Sequence, residues 1–156
     1  MSRAAAARIP SMAPPSNRKD GRPRRVRMRM PSRREAVAPT VERILEEVES
    51  VGFDADQRAD LAVALGEALS NAAVHGNGLR PRKLVSVAIE ITPKKQVVVE
   101  VRDGGPGFDA RKIEDPTDPA RVLVPGGRGV FLMKCLVDET EYSGPGNRVR
   151  LTKRRR

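Results

Sequence analysis

The spacing of hydrophobic positions changes along the chain, and each change marks an element. Val26-Arg27-Met28-Arg29-Met30 alternates apolar and basic residues, the pattern of a half-exposed edge strand. Residues 32–38 read as a loop or the ragged start of a helix. Pro39 suits a helix's first turn, and Val41, Ile44, Leu45, Val48 and Val51 then fall at helical spacing until Gly52 ends the run. Asp54-Ala55-Asp56-Gln57 is a capping-box pattern. The helix it opens runs to about His75, with Leu61, Leu65, Ala68, Leu69 and Ala72 as its buried stripe. Leu84 to Ile91 and Gln96 to Arg102 are two strands joined by Thr92-Pro93-Lys94-Lys95, an antiparallel hairpin. Residues 108–125 are poor in hydrophobic side chains and carry no clear element, which means either disorder or a lid over a ligand. Helical spacing returns from Gly129 to Val137. Glu139 to Tyr142 and Arg148 to Lys153 form a last hairpin across residues 143–147.

This order predicts an α+β fold, a two-layer α/β sandwich. A mostly antiparallel sheet of about five strands packs on about three helices. Residues 26–153 make one domain. Residues 1–25, rich in Arg, Pro, Ala and Ser without periodicity, read as a disordered basic tail, and residues 154–156 as a short basic tail.

Composition changes the picture in one respect. The net charge of +10 suggests nucleic acid, but its location argues against that partner. Residues 1–34 carry +10 and residues 148–156 carry +6, so the stretch between them carries −6. Three Phe, one Tyr and no Trp leave few rings on which bases would stack. No specific nucleic acid is expected, and with no apolar run of bilayer length, no membrane either. The N-terminus lacks a secretory core, and the single Cys135 fits a reducing cytoplasm. Cys135 falls in an apolar helical run and is expected as small core filler.

Candidate chemistry centres on Asp103-Gly104-Gly105-Pro106-Gly107-Phe108. A β-branched run (Val97, Val98, Val99, Val101) stops there on an aspartate, followed by glycines that let a ligand approach the backbone. A carboxylate at a strand terminus beside bare backbone is a seat for a flat polar ligand. Upstream, Glu67, Asn71 and His75 recur every four residues. They are expected on one helix face, poorly wetted because its flanks are small and apolar. His75-Gly76-Asn77-Gly78 then makes a tight exit. Downstream stands Gly126-Gly127-Arg128-Gly129 before a helix. The chain contains neither a GxxxxGK[ST] loop nor a GxGxxG after its first strand.

In this order and spacing, the stretches Glu67–Asn77, Asp103–Phe108 and Gly126–Met133 resemble the N box and two glycine boxes of the Bergerat ATP-binding fold. The short length and the box DGGPGFD look most like the bacterial anti-sigma-factor serine kinases. The resemblance covers roughly residues 26 to 153. It implies that Asp103 accepts from the adenine amino group, that Gly105 and Gly107 shape the purine pocket, and that Asn71 offers an oxygen to Mg²⁺. It implies that Gly127 and Gly129 present backbone amides to phosphate. Arg128 either adds a charge there or faces solvent. Glu67 would be the general base. Many relatives place Thr after the glycine of the last hairpin. Here Asn147 follows Gly146, and its amide is expected to contact the nucleotide instead. His75 is expected as a polar spacer near the lid and not as a phosphoacceptor. The implied activity is an ATP- and Mg²⁺-dependent serine kinase and anti-sigma factor. Its partners would be a sigma factor and an anti-anti-sigma antagonist, and it would be dimeric and cytoplasmic. The alternative is an ATP-binding module that transfers nothing.

Overall fold

The computed structural model describes residues 21–108 and 127–156. Most of the expected N-terminal tail, and nearly all of the segment 108–125, lie outside them. Five strands, β1 (Arg24–Pro31), β2 (Leu84–Ile91), β3 (Gln96–Arg102), β4 (Glu139–Ser143) and β5 (Arg148–Arg154), form one sheet in the order β1-β2-β3-β5-β4. Every neighbouring pair is antiparallel. The α-helices α1 (Val37–Glu47), α2 (Ala55–Asn71) and α3 (Gly127–Leu136) supply the second layer, giving the expected α+β sandwich.

Alternation decides which face of each strand meets the helices. Met28 and Met30, Val85, Val87 and Ile89, Val97, Val99 and Val101, and Val149 and Leu151 are buried on the inner face. Opposite them lie Ile44 and Leu45 of α1 with Val48 just after it, Leu61, Leu65 and Leu69 of α2, and Val130 and Met133 of α3. Each such side chain contributes about 1.5–3 kcal/mol when fully buried.

Local chemistry sets the helix ends. Pro39 sits in the first turn of α1, where its missing N–H leaves no bond unmade. A short 3₁₀ turn (Glu49–Val51) follows α1, and Gly52 closes it at φ 72°, a left-handed conformation that suits glycine. Asp54 caps α2 by accepting from the Gln57 N–H at 2.7 Å. The reciprocal half of the capping box is absent. Gln57 is buried and donates instead to the Arg154 carbonyl at 3.0 Å, tying the start of α2 to β5.

Two expectations need correction. The second helix does not stay α-helical to His75. Residues Ala72–Gly76 widen into a π turn, in which the Asn77 N–H reaches the Ala72 carbonyl at 2.9 Å. The wider turn keeps His75 near Asn71, since both line the cavity described below. Glu67 and Asn71 are half-buried, and His75 is exposed. Cys135 is also exposed. Val130, Met133 and Val137 face the core, so helical geometry turns position 135 outward.

Candidate functional site

The central strands place the site. Arg102 of β3 pairs with Arg148 of β5, so the residues just beyond that pair, Asp103 and Asn147, meet at one end of the sheet below the exit of α2. The Asp103 N–H donates to the Asn147 carbonyl at 3.0 Å, and Asn147 Nδ2 donates back to the Asp103 carbonyl at 3.0 Å. Asp103 Oδ1 accepts from the Gly105 N–H at 2.7 Å. Among the described residues Oδ2 has no donor. Burial raises the Asp103 pKa above the ordinary value of 3.8, and the Gly105 N–H and the charge of Lys83 oppose that rise. A half-buried carboxylate with one acceptor open is chemically suited to an amino group.

Glycines make close packing possible around it. A Cβ on Gly76 would fall inside the Asp103 carboxylate, and one on Gly105 would fall inside the Gly76 carbonyl. The π turn therefore lies flush against Asp103. Asn77, buried, fastens this turn in place. It donates to Ser32 Oγ at 2.9 Å and to the Lys83 carbonyl at 3.3 Å, and accepts from the Gly104 N–H at 2.8 Å. Gly107 and Gly146 both have positive φ, 75° and 94°, and interleave. A Cβ on Gly107 would strike Pro145, and one on Gly146 would strike Phe108.

Between these elements lies a cavity of about 170 Å³, walled by Ala68, Asn71 and Ala72 above and by Val101, Asp103, Gly107, Tyr142, Asn147 and Val149 below and beside. Whole-ligand pockets usually span about 300–1,000 Å³, so this one suits a single ring system and leaves any longer ligand to emerge past the rim. Tyr142 and Phe108 stand edge to face there, ring centres 5.1 Å apart. Burial pushes the Tyr142 phenol well above its ordinary pKa, so it stays a hydroxyl.

The second part of the site adjoins Asn71. One turn earlier on α2, Glu67 places Oε2 2.6 Å from where a Cβ on Gly129 would stand, and Asn71 Nδ2 is 3.3 Å from the same point. A carboxylate, an amide and the first turn of α3 thus converge. The sequence placed Gly127 and Gly129 before the helix, whereas the helix already begins at Gly127. Of the expected site residues, Asn71, Asp103, Gly107 and Asn147 line the cavity. Gly105 supports Asp103 from behind, Glu67 and Gly129 meet beside Asn71, and Arg128 is exposed. Sequence reasoning missed Gly76, Asn77 and Tyr142 as parts of the site. The HGNG exit signalled the first two, and strand alternation around Tyr142 the third.

Comparison with known proteins gives the family. Residues 30–153 match the family described as histidine kinase-like ATPase domain. A serine-protein kinase RsbW from Oceanobacillus iheyensis is 26% identical over 124 residues, 76% of this chain and 78% of that one. A serine-protein kinase RsbW from Bacillus velezensis is 33% identical over 110 residues, 66% and 68% of the two chains. An anti-sigma F factor from Clostridium botulinum is 30% identical over 105 residues, 64% and 72% of the two chains. Matched by that family over residues 30–153 and similar to these kinases over about two thirds of its length, the chain belongs to the histidine kinase-like ATPase family, among the anti-sigma-factor serine kinases.

Proposed function

We propose that the protein binds ATP with Mg²⁺, transfers the terminal phosphoryl group to a serine of an anti-anti-sigma antagonist, and sequesters a sigma factor when free of that antagonist. The observation that carries this reading is the meeting of Glu67, Asn71 and Gly129 beside a ring-sized cavity that ends on Asp103. The purine would sit in the cavity, its amino group donating to Asp103. Its phosphates would run past Asn71 to the amides of the first turn of α3, where the helix dipole favours anions.

Asn71 fits Mg²⁺, because it brings a hard amide oxygen to the cavity wall and Mg²⁺ takes few protein ligands, completing its shell with phosphate and water. When bound, the ion would neutralise phosphate charge. Glu67, one turn from Asn71, would orient the incoming serine hydroxyl and accept its proton. Gly129 leaves room for that carboxylate. Arg128, exposed on the same turn, would add positive charge near the phosphates.

Residues 26–153 form the ATP-binding domain in this reading, flanked by basic ends at 1–25 and 154–156, of which Arg24, Arg25 and Arg154 are strand residues of β1 and β5. The protein would act as a homodimer in the cytoplasm. No helix among the described residues is long and apolar enough to cross a membrane.

The test is labelled ATP with a cognate antagonist domain, using the wild type and Glu67→Gln. Acid-stable label on the antagonist, lost in the variant while ATP still binds, supports the kinase. ATP binding without transfer to any cognate antagonist would leave a binding module and overturn the kinase.

A further inference from the structure

Lys153 lies on the inner face of β5, the face otherwise given to Val149 and Leu151, and is only 3% exposed. An ammonium group reaches such a place only with partners. Its Nζ donates to the carbonyl of Leu136, the last residue of α3, at 2.6 Å, and to Asp60 Oδ2 of α2 at 3.2 Å. Two further bonds fix the same spot. The Asp138 N–H donates to the Thr152 carbonyl at 2.9 Å, and the Arg154 N–H donates to Asp138 Oδ2 at 2.7 Å. The C-terminal end of α3 is therefore fastened to β5, with a cation at the helix end where the dipole favours one.

The other end of α3 carries Gly129, whose backbone lies against Glu67 and Asn71. The helix has 10 residues, so the two ends are about 15 Å apart. A rigid helix held at its C-terminus cannot slide or swing at its N-terminus without breaking those bonds.

We infer that Lys153 is a positioning residue for the phosphate end of the site, setting where the first turn of α3 stands relative to Glu67 and Asn71. This rests on the reading of that turn as the phosphate seat. It goes beyond it by assigning the placement of the turn to a buried lysine at the opposite end of the helix. Asp103 and the ring cavity lie on a different part of the fold, on the β3 and β5 termini and the exit of α2, and do not depend on α3 for their bonds.

The consequence is a split between ligands. Calorimetric titration of the full chain, with Mg²⁺ present, would compare ATP and adenosine on the wild type, Lys153→Met and Lys153→Arg. The methionine variant is expected to lose about tenfold in ATP affinity. Its adenosine affinity should change less than about twofold, and the arginine variant should recover most of the loss. Asp60→Asn, at a more exposed position, loosens the same knot with less threat to folding and is expected to show the same split at about twofold to threefold. Equal losses for ATP and adenosine, or no loss for ATP, would overturn the inference. A wild type that binds adenosine and ATP equally well would remove the phosphate seat itself, and the inference with it. A split absent from Asp60→Asn and Lys153→Met, in a wild type that prefers ATP, would remove only Lys153.

Discussion

Asp103 and Asn147 hold each other twice, N–H to carbonyl in one direction and side-chain amide to carbonyl in the other, both at 3.0 Å. The amide of Asn147, expected to contact nucleotide, is thus engaged with the main chain of the residue that would read the purine. Asn147→Ala removes one of these bonds and is expected to lower stability by about 0.5–1.5 kcal/mol in urea unfolding. Because the effect passes through Asp103, affinities for ATP and adenosine should fall together. A loss confined to ATP would instead put Asn147 on the ribose or phosphates.

The two glycines of and near the second half of α2 should behave oppositely. Gly76→Ala drives a methyl group into the Asp103 carboxylate, so ATP affinity should fall by more than about tenfold. Gly66→Ala meets no atom within 4 Å and lies inside α2. It should raise stability by about 1 kcal/mol and leave ATP binding unchanged. Thermal melts with parallel titrations check both.

The raised pKa of Asp103 has two measurable results. Only the ionised carboxylate accepts on both oxygens, so ATP affinity should fall on acidification at a pH above the ordinary aspartate value of 3.8. For folding the sign is reversed. At neutral pH the folded chain holds this carboxylate less favourably than the unfolded chain does. That penalty fades as pH falls through the folded-state pKa and is gone below about 3.8. Asp103→Asn should therefore abolish ATP binding without lowering stability at neutral pH, and its stability relative to the wild type should decline towards acid. Paired urea curves from pH 7 downwards would show it.

Gly129→Ala tests the contact between α3 and Glu67. The added Cβ would stand 2.6 Å from Glu67 Oε2, so the carboxylate must turn away. Phosphoryl transfer should drop by roughly tenfold to a hundredfold, since one carboxylate is worth about 10²–10⁴ in general-base catalysis. Adenosine binding should stay within about twofold. Unchanged turnover would take Glu67 out of the reaction.

Much of this architecture was legible in the residues because side-chain burial has a period. The stripe Leu61, Leu65, Ala68, Leu69 and Ala72 is buried as the spacing required, and the strand pairs β2 with β3 and β4 with β5 follow their turns. The failures have different physical origins. The π turn at Ala72–Gly76 arises from main-chain bonds to Asn77 and Leu79, which leave no mark on side-chain spacing. Cys135 was misplaced because apolar residues occupy both faces of α3, Phe131 being exposed as well, so composition could not say which face was inside. Asp103, Asn71 and Glu67 were legible as chemistry. Their supports were not, since a glycine in a sequence does not reveal which backbone it will touch.

The interleaving of Gly107 with Pro145 and of Gly146 with Phe108 has a kinetic corollary. Two segments meshed backbone to backbone can travel only as one body, so the end of the cleft proposed for the purine is a fixed jaw. Exchange of a bound nucleotide must be timed by whatever moves on the other side, and mutations that speed it should map away from residues 103–108 and 143–147.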